Sequence, residues 1–431
     1  MTIQTIQPAP HALHGSIRVP ADKSISHRAA ILASLADGKT RIENYLQSET
    51  THATLDCLRA LGTEIEMHDA TTLSIRSRGL RGLSEPKDVL FCKGSGTTMR
   101  LLAGLCAGQD FLSILDGTHA LKRRPMARVA EPLRAMGATI LARDNGKLPP
   151  LAIRGGKLHG LDYALPVASA QVKSAILLAA LFADSPTTLH EPSASRDHTE
   201  RMLLACGVKL QVAGCKLQIE PATELRITHH ASRIPNDFSS AAFFIVAALI
   251  VPQSEICIER VGVNETRTGL LDALLRMGAH IKIENVSEES GEPVGDIVIQ
   301  SAELRGTQVH GDEIPRMIDE FPIFAIAATQ AQGETIVRDA QELRVKESDR
   351  IATLANELRK MGAQIEERAD GFVITGPTPL HGARVAAQSD HRLAMSLAVA
   401  GLVARGETII EGWECVADSF PNFDKILEGI R

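Results

Sequence analysis

Aromatic side chains, closely spaced cysteines and long apolar runs are all scarce in this chain of 431 residues. Aromatic residues make up 3% of the sequence, with one Trp and two Tyr, which argues against a surface on which nucleic-acid bases stack. The net charge of −6 provides no basic field for nucleic acid either. The longest apolar run, AAFFIVAALIV at 241–251, is too short to cross a bilayer as a helix. Neither nucleic acid nor a membrane is therefore an expected partner.

The seven cysteines include no CxxC or other closely spaced pair. An odd, scattered set in a chain of this length predicts buried free thiols in a reducing compartment. The N-terminus, MTIQTIQPAPHALHG, has no basic segment followed by an apolar run, so we expect no secretory signal. These features predict a cytoplasmic protein.

Motifs for nucleotides and metals are missing as well. The stretch KGSGTTMR (93–100) contains GxG, but it lacks both the third glycine of a dinucleotide site and the GK[ST] of a P-loop. His229 and His230 have no acid or Cys nearby at metal-ligand spacing, and we interpret them as a loop pair.

Two sequence patterns alternate along the chain. The first is the end of an amphipathic helix, then a glycine and a short strand, as in PLRAMGATI (132–140) and ELRKMGAQI (357–365). The second starts with polar residues, continues as an Ala-rich helix that is apolar on most sides, and returns as a β-branched strand, as in the segment from 390, DHRLAMSLAVAGLVARGETII. A helix that is apolar all round is a buried helix. The sequence therefore predicts an α/β protein built from six diverged copies of a unit of roughly 70 residues. A break near SRIPND (232–237) predicts two domains of three units each.

Cations are concentrated where these helices are expected to begin. The residues are Arg28, Arg100, Lys173, Arg350 and Arg392. Pro125, which follows Arg124, is predicted to lie in the first turn of a further helix. A cation beside the positive end of a helix is unfavourable unless an anion lies between them, and both helix N-termini and Arg side chains bind oxyanions. A solvated surface charge would explain any single case but not the repetition, so we infer a polyanionic ligand bound among several helix ends.

Three acids lie close to these cations. Asp319 and Glu320 precede a strongly apolar helix, and Glu347 lies between Lys346 and Arg350. Each acid could be a helix cap or a charge partner. Alternatively, a carboxylate held among cations stays ionised and can accept a proton.

Eight stretches, taken together and in order, resemble the 5-enolpyruvylshikimate-3-phosphate (EPSP) synthase family. They are ADKSISHR (21–28), GSGTTMR (94–100), LKRRPM (121–126), ASAQVKSA (168–175), SRDHTERM (195–202), IPRMIDEFP (314–322), RVKESDRI (344–351) and SDHRLAM (389–395). The resemblance implies the enolpyruvyl transferase fold, an inside-out α/β barrel of two similar domains that each contain three α/β units. It assigns residues 1–20 and 236–431 to the first domain and residues 21–235 to the second, with the active site in the cleft between them.

The resemblance also implies a reaction. The enolpyruvyl group of phosphoenolpyruvate passes to the 5-hydroxyl of shikimate 3-phosphate, and phosphate leaves by addition–elimination through a tetrahedral intermediate. This is a step of the shikimate pathway to chorismate and the aromatic amino acids. The resemblance further implies a monomer that needs neither a metal nor an organic cofactor.

The family's contacts can be placed residue by residue. Those for shikimate 3-phosphate fall on Lys23, Ser24, Arg28, Ser169, Ala170, Gln171, Arg196, Asp319 and Lys346. Those for phosphoenolpyruvate fall on Lys23, Gly96, Arg124, Gln171, Arg350 and Arg392. The proton acceptor falls on Asp319, and the candidates for delivering a proton are Glu347 and Lys23.

Three further places in the chain bear on the resemblance. Lys93-Gly94 stand where the family usually shows Gly-Asn, and Asp418-Ser419 stand where some members carry a Lys. Gly96 is the position at which an alanine distinguishes glyphosate-tolerant members, so we expect sensitivity to glyphosate.

Two other functions remain open from the sequence. A sister enolpyruvyl transferase, which acts on UDP-N-acetylglucosamine, typically carries a Cys in the loop before its Arg-Pro, and DGTHALKRRP (116–125) contains none. A non-catalytic anion-binding relative would be signalled by the loss of Lys23, Asp319 or Glu347, and all three are present.

Overall fold

The computed structural model describes residues 2–227 and 231–431, and the His229–His230 pair lies outside them. The chain divides into two compact units. The first unit comprises Met1–Pro20, Asn236–Ser287 and Pro293–Arg431, and the second unit comprises Ala21–Pro235 and Glu288–Glu292.

The chain begins with two strands of the first unit, β1 (Ile3–Ile6) and β2 (His14–Ile17). The second unit then repeats one helix–strand pattern. Its first repeat contains α1 (Lys23–Ala33), β3 (Asp37–Glu43), α2 (Glu49–Ala60), β4 (Glu64–Met67) and β5 (Leu73–Arg78). The next contains β6 (Leu90–Phe91), α3 (Gly96–Ala107), β7 (Leu112–Asp116), a 3₁₀ helix (Leu121–Arg123), α4 (Ala127–Ala135), β8 (Thr139–Ala142), α5 (Arg143–Gly146) and β9 (Leu148–Arg154). The last contains β10 (Asp162–Ala164), α6 (Ala170–Ala180), β11 (Thr187–His190), α7 (His198–Ala205), β12 (Leu210–Ala213) and β13 (Lys216–Ile219), and β14 (Ala231–Arg233) follows.

The first unit repeats the same pattern. It continues with α8 (Phe238–Ile250), β15 (Glu255–Gly262), α9 (Gly269–Arg276), β16 (His280–Glu289) and β17 (Glu292–Gln300). Next come β18 (Gln308–Val309), α10 (Glu313–Arg316), α11 (Phe321–Gln330), β19 (Gly333–Val337), a 3₁₀ helix (Gln341–Val345), α12 (Arg350–Lys360), β20 (Gln364–Arg368) and β21 (Gly371–Gly376). The chain ends with β22 (Arg384–Ala386), α13 (His391–Val403), β23 (Thr408–Glu411), a 3₁₀ helix (Trp413–Asp418) and α14 (Phe423–Gly429).

Among the described residues, the strands form six small sheets. Their orders are β14-β3-β5-β4, β6-β7-β9-β8 and β10-β11-β13-β12 in the second unit, and β2-β15-β17-β16, β18-β19-β21-β20 and β22-β23-β1 in the first. In each of these sheets, the strand that follows the buried helix has one parallel and one antiparallel neighbour. One sheet per repeat is what a sixfold α/β pattern predicts, because each copy buries its helix under its own strands.

The Ala-rich helices form the two cores. Helices α1, α3 and α6 are buried in the second unit, and α8, α11 and α13 are buried in the first, so the prediction of buried helices is confirmed. Small residues let these helices approach closely: a Cβ added to Gly104 of α3 would lie 2.0 Å from the Ala175 oxygen of α6. Larger side chains also pack in the core of the first unit, where the ring centroids of Phe244 and Phe423 lie 5.4 Å apart.

The helix ends follow the sequence pattern closely. The glycines after the amphipathic helices have positive φ angles, for example +90° at Gly62, +111° at Gly137 and +88° at Gly362. A left-handed residue at this position ends a helix, and glycine adopts that conformation without steric strain. The predicted ends of these helices are therefore confirmed.

One predicted helix start was wrong by two residues. Helix α4 begins at Ala127, so Pro125 precedes the helix instead of lying in its first turn. Arg124 is extended, as expected for a residue before proline, and the Met126 N–H bonds to the Lys147 oxygen. That distant contact delays the helix until after Met126.

All seven cysteines are free thiols. Five of them are buried and Cys257 is partly buried, but Cys215 is exposed, against expectation. Of the helices in the described part of the chain, none has the length and apolarity needed to span a membrane.

Candidate active site

In the first unit, Arg350 is the centre of a cluster of carboxylates. Arg350 is the first residue of helix α12, and its side chain is 2% exposed. The guanidinium donates from Nε to Asp390 at 2.8 Å, from Nη2 to Glu347 at 2.9 Å and from Nη1 to Asp319 at 3.2 Å. Burial alone would lower the pKa of Arg350, but the three acids outweigh it and raise that pKa. Arg350 is therefore a permanent cation held in a fixed position.

Asp390 links this cation to a second helix start. It is the N-cap of α13, where Oδ1 accepts from the Arg392 N–H at 3.0 Å, while Oδ2 also accepts from Ser348. Burial by itself would raise the pKa of Asp390, but Arg350 outweighs it and the pKa is lowered. Asp390 was not predicted as a site residue from the sequence, although an acid directly before an Ala-rich helix is a recognisable capping signal.

We expect the substitution Asp390→Asn to lower the free energy of unfolding by about 1–3 kcal/mol at pH 7, because Arg350 loses a charged partner but keeps two others. Ionised Asp390 contributes its full stabilisation above the pKa that Asp has in the unfolded chain, about 3.9. This stabilisation is lost as the pH falls through the lower pKa of Asp390 in the folded protein. Urea unfolding at several pH values should therefore show the two curves converging in acid. The exposed Asp56, which pairs with Arg59 at 3.0 Å, provides the control Asp56→Asn. A wild-type advantage that persists undiminished in acid would contradict this account.

Asp319 lies between two guanidinium groups. One carboxylate oxygen is 3.2 Å from Arg350 Nη1, and the other is 3.7 Å from Arg392 Nη2. The Asp319 backbone oxygen also accepts from Arg392 Nη1 at 3.3 Å. Opposite charges at these distances favour the ionised carboxylate. The side chain keeps 18% exposure, so it is an anchored base that a ligand can still reach.

Glu320 points into the protein instead. Its side chain is fully buried, accepts from the Ser239 hydroxyl and lies 3.6 Å from Arg267 Nη1. Arg267 also contacts Asp237, the N-cap of α8, at 3.3 Å. Of the alternatives left open by the sequence, the structure places Glu320 as a charge partner. Arg267 and Asp237, which were not predicted as site residues from the sequence, complete this buried layer.

In the second unit, a polar turn starts helix α3. The Gln171 amide donates from Nε2 to Thr97 Oγ1 at 2.9 Å and accepts from Arg100 Nη1. Arg100 also donates to the Pro125 oxygen at 3.2 Å. Gln171 thereby ties the start of α6 to the start of α3.

Two cations lie against the first residue of α3. A Cβ added to Gly96 would lie 3.0 Å from Arg124 Nη1 and 3.3 Å from Arg100 Nη1. The free N–H groups of a helix start and two guanidinium groups therefore meet at one backbone position. This combination binds phosphate and carboxylate groups.

The start of α1 carries Lys23, Ser24 and Arg28. Arg28 is buried, and it donates to Thr199 at 2.7 Å, to Ser174 at 2.8 Å and to the Ser24 oxygen at 3.0 Å. Burial lowers the pKa of Arg28 to about 10, against the attraction of nearby acids. The side chain is cationic at neutral pH and is oriented by α6 and α7. Ser169 is the N-cap of α6 and Ala170 is its first residue.

Lys173 does not belong to an anion site. Its Nζ lies 2.8 Å from Glu191 and 2.6 Å from Glu200, and it donates to the Ser195 oxygen at 3.2 Å. The side chain is 1% exposed. The prediction that Lys173 helps to bind a polyanion was wrong, because two buried acids already neutralise it. It holds the segment that leads to Arg196.

The sequence and the fold of this chain are similar to those of known proteins. Residues 8–427 match the family model "EPSP synthase (3-phosphoshikimate 1-carboxyvinyltransferase)". The chain is 54% identical over 426 residues to the 3-phosphoshikimate 1-carboxyvinyltransferase of Syntrophomonas wolfei subsp. wolfei, covering 99% of each. It is 53% identical to that of Desulforudis audaxviator, covering 100% of each. The solved EPSP synthase from Acinetobacter baumannii aligns with a TM-score of 0.89 and 42% identity, over 99% of this chain and 97% of that one.

A more distant structure shows the same fold. The enolpyruvyl transferase NikO from Streptomyces tendae aligns with a TM-score of 0.80 at 18% identity, over 99% of this chain and 97% of that one. With these alignments the predicted fold class is confirmed. The chain belongs to the EPSP synthase family.

Proposed function

We propose that this protein transfers the enolpyruvyl group of phosphoenolpyruvate to the 5-hydroxyl of shikimate 3-phosphate and releases phosphate. The observation that carries the proposal is the position of Asp319, a partly exposed carboxylate between Arg350 and Arg392. A reaction that removes a proton from a hydroxyl while handling several anionic groups needs such a base among cations.

In the proposed mechanism, Asp319 accepts the hydroxyl proton as the substrate oxygen bonds to C2 of phosphoenolpyruvate. The methylene carbon gains a proton from Glu347 or Lys23, which gives a tetrahedral intermediate with a methyl group. The methyl group then returns a proton to the group that supplied it, the enol double bond re-forms and the bond from C2 to the phosphate oxygen breaks. Phosphate leaves with the electron pair of that bond.

The contact between Arg350 and Glu347 provides a way for Glu347 to become an acid when substrate binds. Glu347 accepts from Arg350 Nη2 at 2.9 Å, and its side chain is 33% exposed. An anionic substrate bound by Arg350 competes with Glu347 for the guanidinium. A carboxylate that loses a cationic partner holds a proton more readily, so the bound substrate would help Glu347 to carry a proton.

The remaining positions are proposed to bind the phosphates and carboxylates of the two substrates. Shikimate 3-phosphate is assigned to Lys23, Ser24, Arg28, Ser169, Ala170, Gln171, Arg196, Asp319 and Lys346. Phosphoenolpyruvate is assigned to Lys23, Gly96, Arg124, Gln171, Arg350 and Arg392. Charge-assisted hydrogen bonds to Arg and Lys are the strong contacts available for such groups.

The test is phosphate release from phosphoenolpyruvate, with shikimate 3-phosphate or UDP-N-acetylglucosamine as the acceptor. We expect release only with shikimate 3-phosphate. Release with UDP-N-acetylglucosamine alone would assign the protein to the sister activity, and no release with either acceptor would favour an anion-binding protein.

Gly96→Ala should raise the KM for phosphoenolpyruvate about tenfold, because the new Cβ would lie 3.0 Å from Arg124 Nη1, so that this guanidinium shifts slightly and a contact of about 1.4 kcal/mol is weakened. Steady-state kinetics provides the measurement. Gly94→Ala is the matched control, since a Cβ there meets nothing closer than Thr118 Oγ1 at 3.9 Å. The wild type should be inhibited by glyphosate and Gly96→Ala less so. Equal KM values for the two variants would show that Arg124 does not contact the substrate.

We further propose that the protein is cytoplasmic and monomeric. Seven free thiols are compatible with a reducing compartment, and every assigned substrate contact comes from one chain.

A further inference from the structure

A chain of buried hydrogen bonds connects helix α1 to the start of α3. His27 Nδ1 lies 2.6 Å from Thr54 Oγ1, which lies 2.7 Å from Thr98 Oγ1, which in turn donates to Ser95 Oγ at 2.7 Å. His27, Thr54 and Thr98 are completely buried, and Ser95 is 3% exposed. Ser95 is the N-cap of α3 and accepts from the Thr98 N–H at 3.1 Å. We call these four side chains the His27 relay.

The hydroxyl protons define the direction of the relay. Thr98 donates its one hydroxyl proton to Ser95 or, at 3.3 Å, to the Thr50 carbonyl oxygen, which can only accept. Thr98 must therefore accept from Thr54, which uses the only proton of Thr54. His27 must then donate from Nδ1 to Thr54. The relay is satisfied by the neutral Nδ1–H tautomer.

The surroundings of His27 keep it in that form. Burial, followed by Lys23 and Arg28, lowers the pKa of His27 to about 3. In the described part of the chain, Nε2 has no hydrogen-bond partner. A bare lone pair there is less costly than an N–H without an acceptor, so both protonation and the other tautomer are disfavoured. His27 is a fixed donor across the pH range in which proteins are stable.

Ser95 is at the end of the relay that meets the candidate site. Its oxygen accepts from the Thr98 N–H and hydroxyl, so its own proton points away from Thr98. The following residue is Gly96, against which Arg124 and Arg100 lie. Rotation of Ser95 would change both the cap of α3 and the position of this backbone.

We propose that His27 is a positioning residue for phosphoenolpyruvate binding: through Thr54 and Thr98 it fixes Ser95 and, with it, the anion-binding start of α3. This inference rests on the proposed function, because it assigns phosphoenolpyruvate to Gly96 and Arg124. His27 touches neither substrate and acts only through the relay.

The decisive experiment compares His27→Leu with His27→Asn. Leucine removes the donor, whereas the asparagine amide can place an N–H close to the position of Nδ1. We expect His27→Leu to raise the KM for phosphoenolpyruvate about fivefold to tenfold, the equivalent of one hydrogen bond, with the KM for shikimate 3-phosphate changed less than about twofold. His27→Asn should restore most of the loss. Thr54→Val breaks the next link with little change of shape and should match His27→Leu, which covers the case in which His27→Leu does not fold.

Ser34→Ala is the control, because it removes another buried hydrogen bond of the α1 region, from Ser34 Oγ to the Ile31 oxygen, without touching α3. Equal changes in both KM values, or the same effect from Ser34→Ala, would overturn the proposal and indicate a general loss of structure. Nitrogen-15 NMR of the wild type should show the Nδ1–H tautomer, and an Nε2–H tautomer would overturn it whatever the activity. A wild type that lacks activity would refute the proposed function, and the NMR result would then still decide the relay.

Discussion

Asp319→Asn should lower kcat by about 10²–10⁴-fold, the usual contribution of a positioned general base. Asparagine keeps the shape of the side chain and can still contact Arg350, but it cannot accept the hydroxyl proton. Because Arg350 retains Asp390 and Glu347, the variant should remain folded. Phosphate release under saturating substrates measures kcat, and circular dichroism checks the fold.

A matched control separates loss of the base from loss of an ion pair. Asp272 lies 2.6 Å from Arg316, with its side chain 44% exposed, so Asp272→Asn removes a carboxylate from another Arg–Asp pair of the same unit. Its kcat should stay within about twofold of the wild type, since an exposed pair contributes little. If Asp319→Asn retained comparable activity, Asp319 could not be the proton acceptor.

Lys173→Met should lower the free energy of unfolding by about 3–5 kcal/mol, because it leaves Glu191 and Glu200 buried without their cation. Burial alone would lower the pKa of Lys173, but Glu200 and Glu191 outweigh it and raise that pKa, which reflects how strongly the lysine is held in its charged form. Urea unfolding gives the difference. This would be the largest stability effect expected of any substitution considered.

Two comparisons test the cause of that loss. Lys39 pairs with Glu66 at 3.1 Å on the surface, and Lys39→Met should cost less than about 1 kcal/mol. Adding Glu200→Gln to Lys173→Met removes one of the stranded charges and should restore part of the stability. If Lys173→Met lowered the free energy of unfolding no more than Lys39→Met does, the buried acids would not depend on Lys173. Lys173 would then again be a candidate ligand for an anion.

Local patterns were enough to predict the architecture. The Ala-rich segment at 241–251 is apolar on every side, and its residues 241–250 lie in helix α8, which is buried except at Ile250. Glycines such as Gly62 and Gly362 predict the helix ends, because the positive φ angle that ends a helix is a local requirement that glycine meets without strain. Repetition of these signals gave the α/β fold class, since each copy carries its own helix and sheet.

The candidate site was less predictable, because cations with similar sequence surroundings have different partners in space. Lys173 and Arg350 both lie at helix starts, yet Lys173 is enclosed by Glu191 and Glu200, which lie further along the chain. Arg350 finds Asp390 across a gap of 40 residues. These contacts do not follow from any regular spacing in the sequence. The cations could therefore be predicted as candidates, but which of them a ligand can reach could not.

We propose that the methylene carbon of phosphoenolpyruvate is protonated on the way to product. The most direct measurement is the reaction in D₂O with proton and deuterium NMR of the enolpyruvyl group. In D₂O, protonation by an exchangeable acid makes a CH₂D methyl group in the intermediate. Since this group then loses either H or D, part of the product should carry deuterium in its vinyl position. The labelled product should form only when shikimate 3-phosphate is present. Product that contains no deuterium would mean that the methylene carbon never receives a proton from an exchangeable group, and the addition–elimination account would be contradicted.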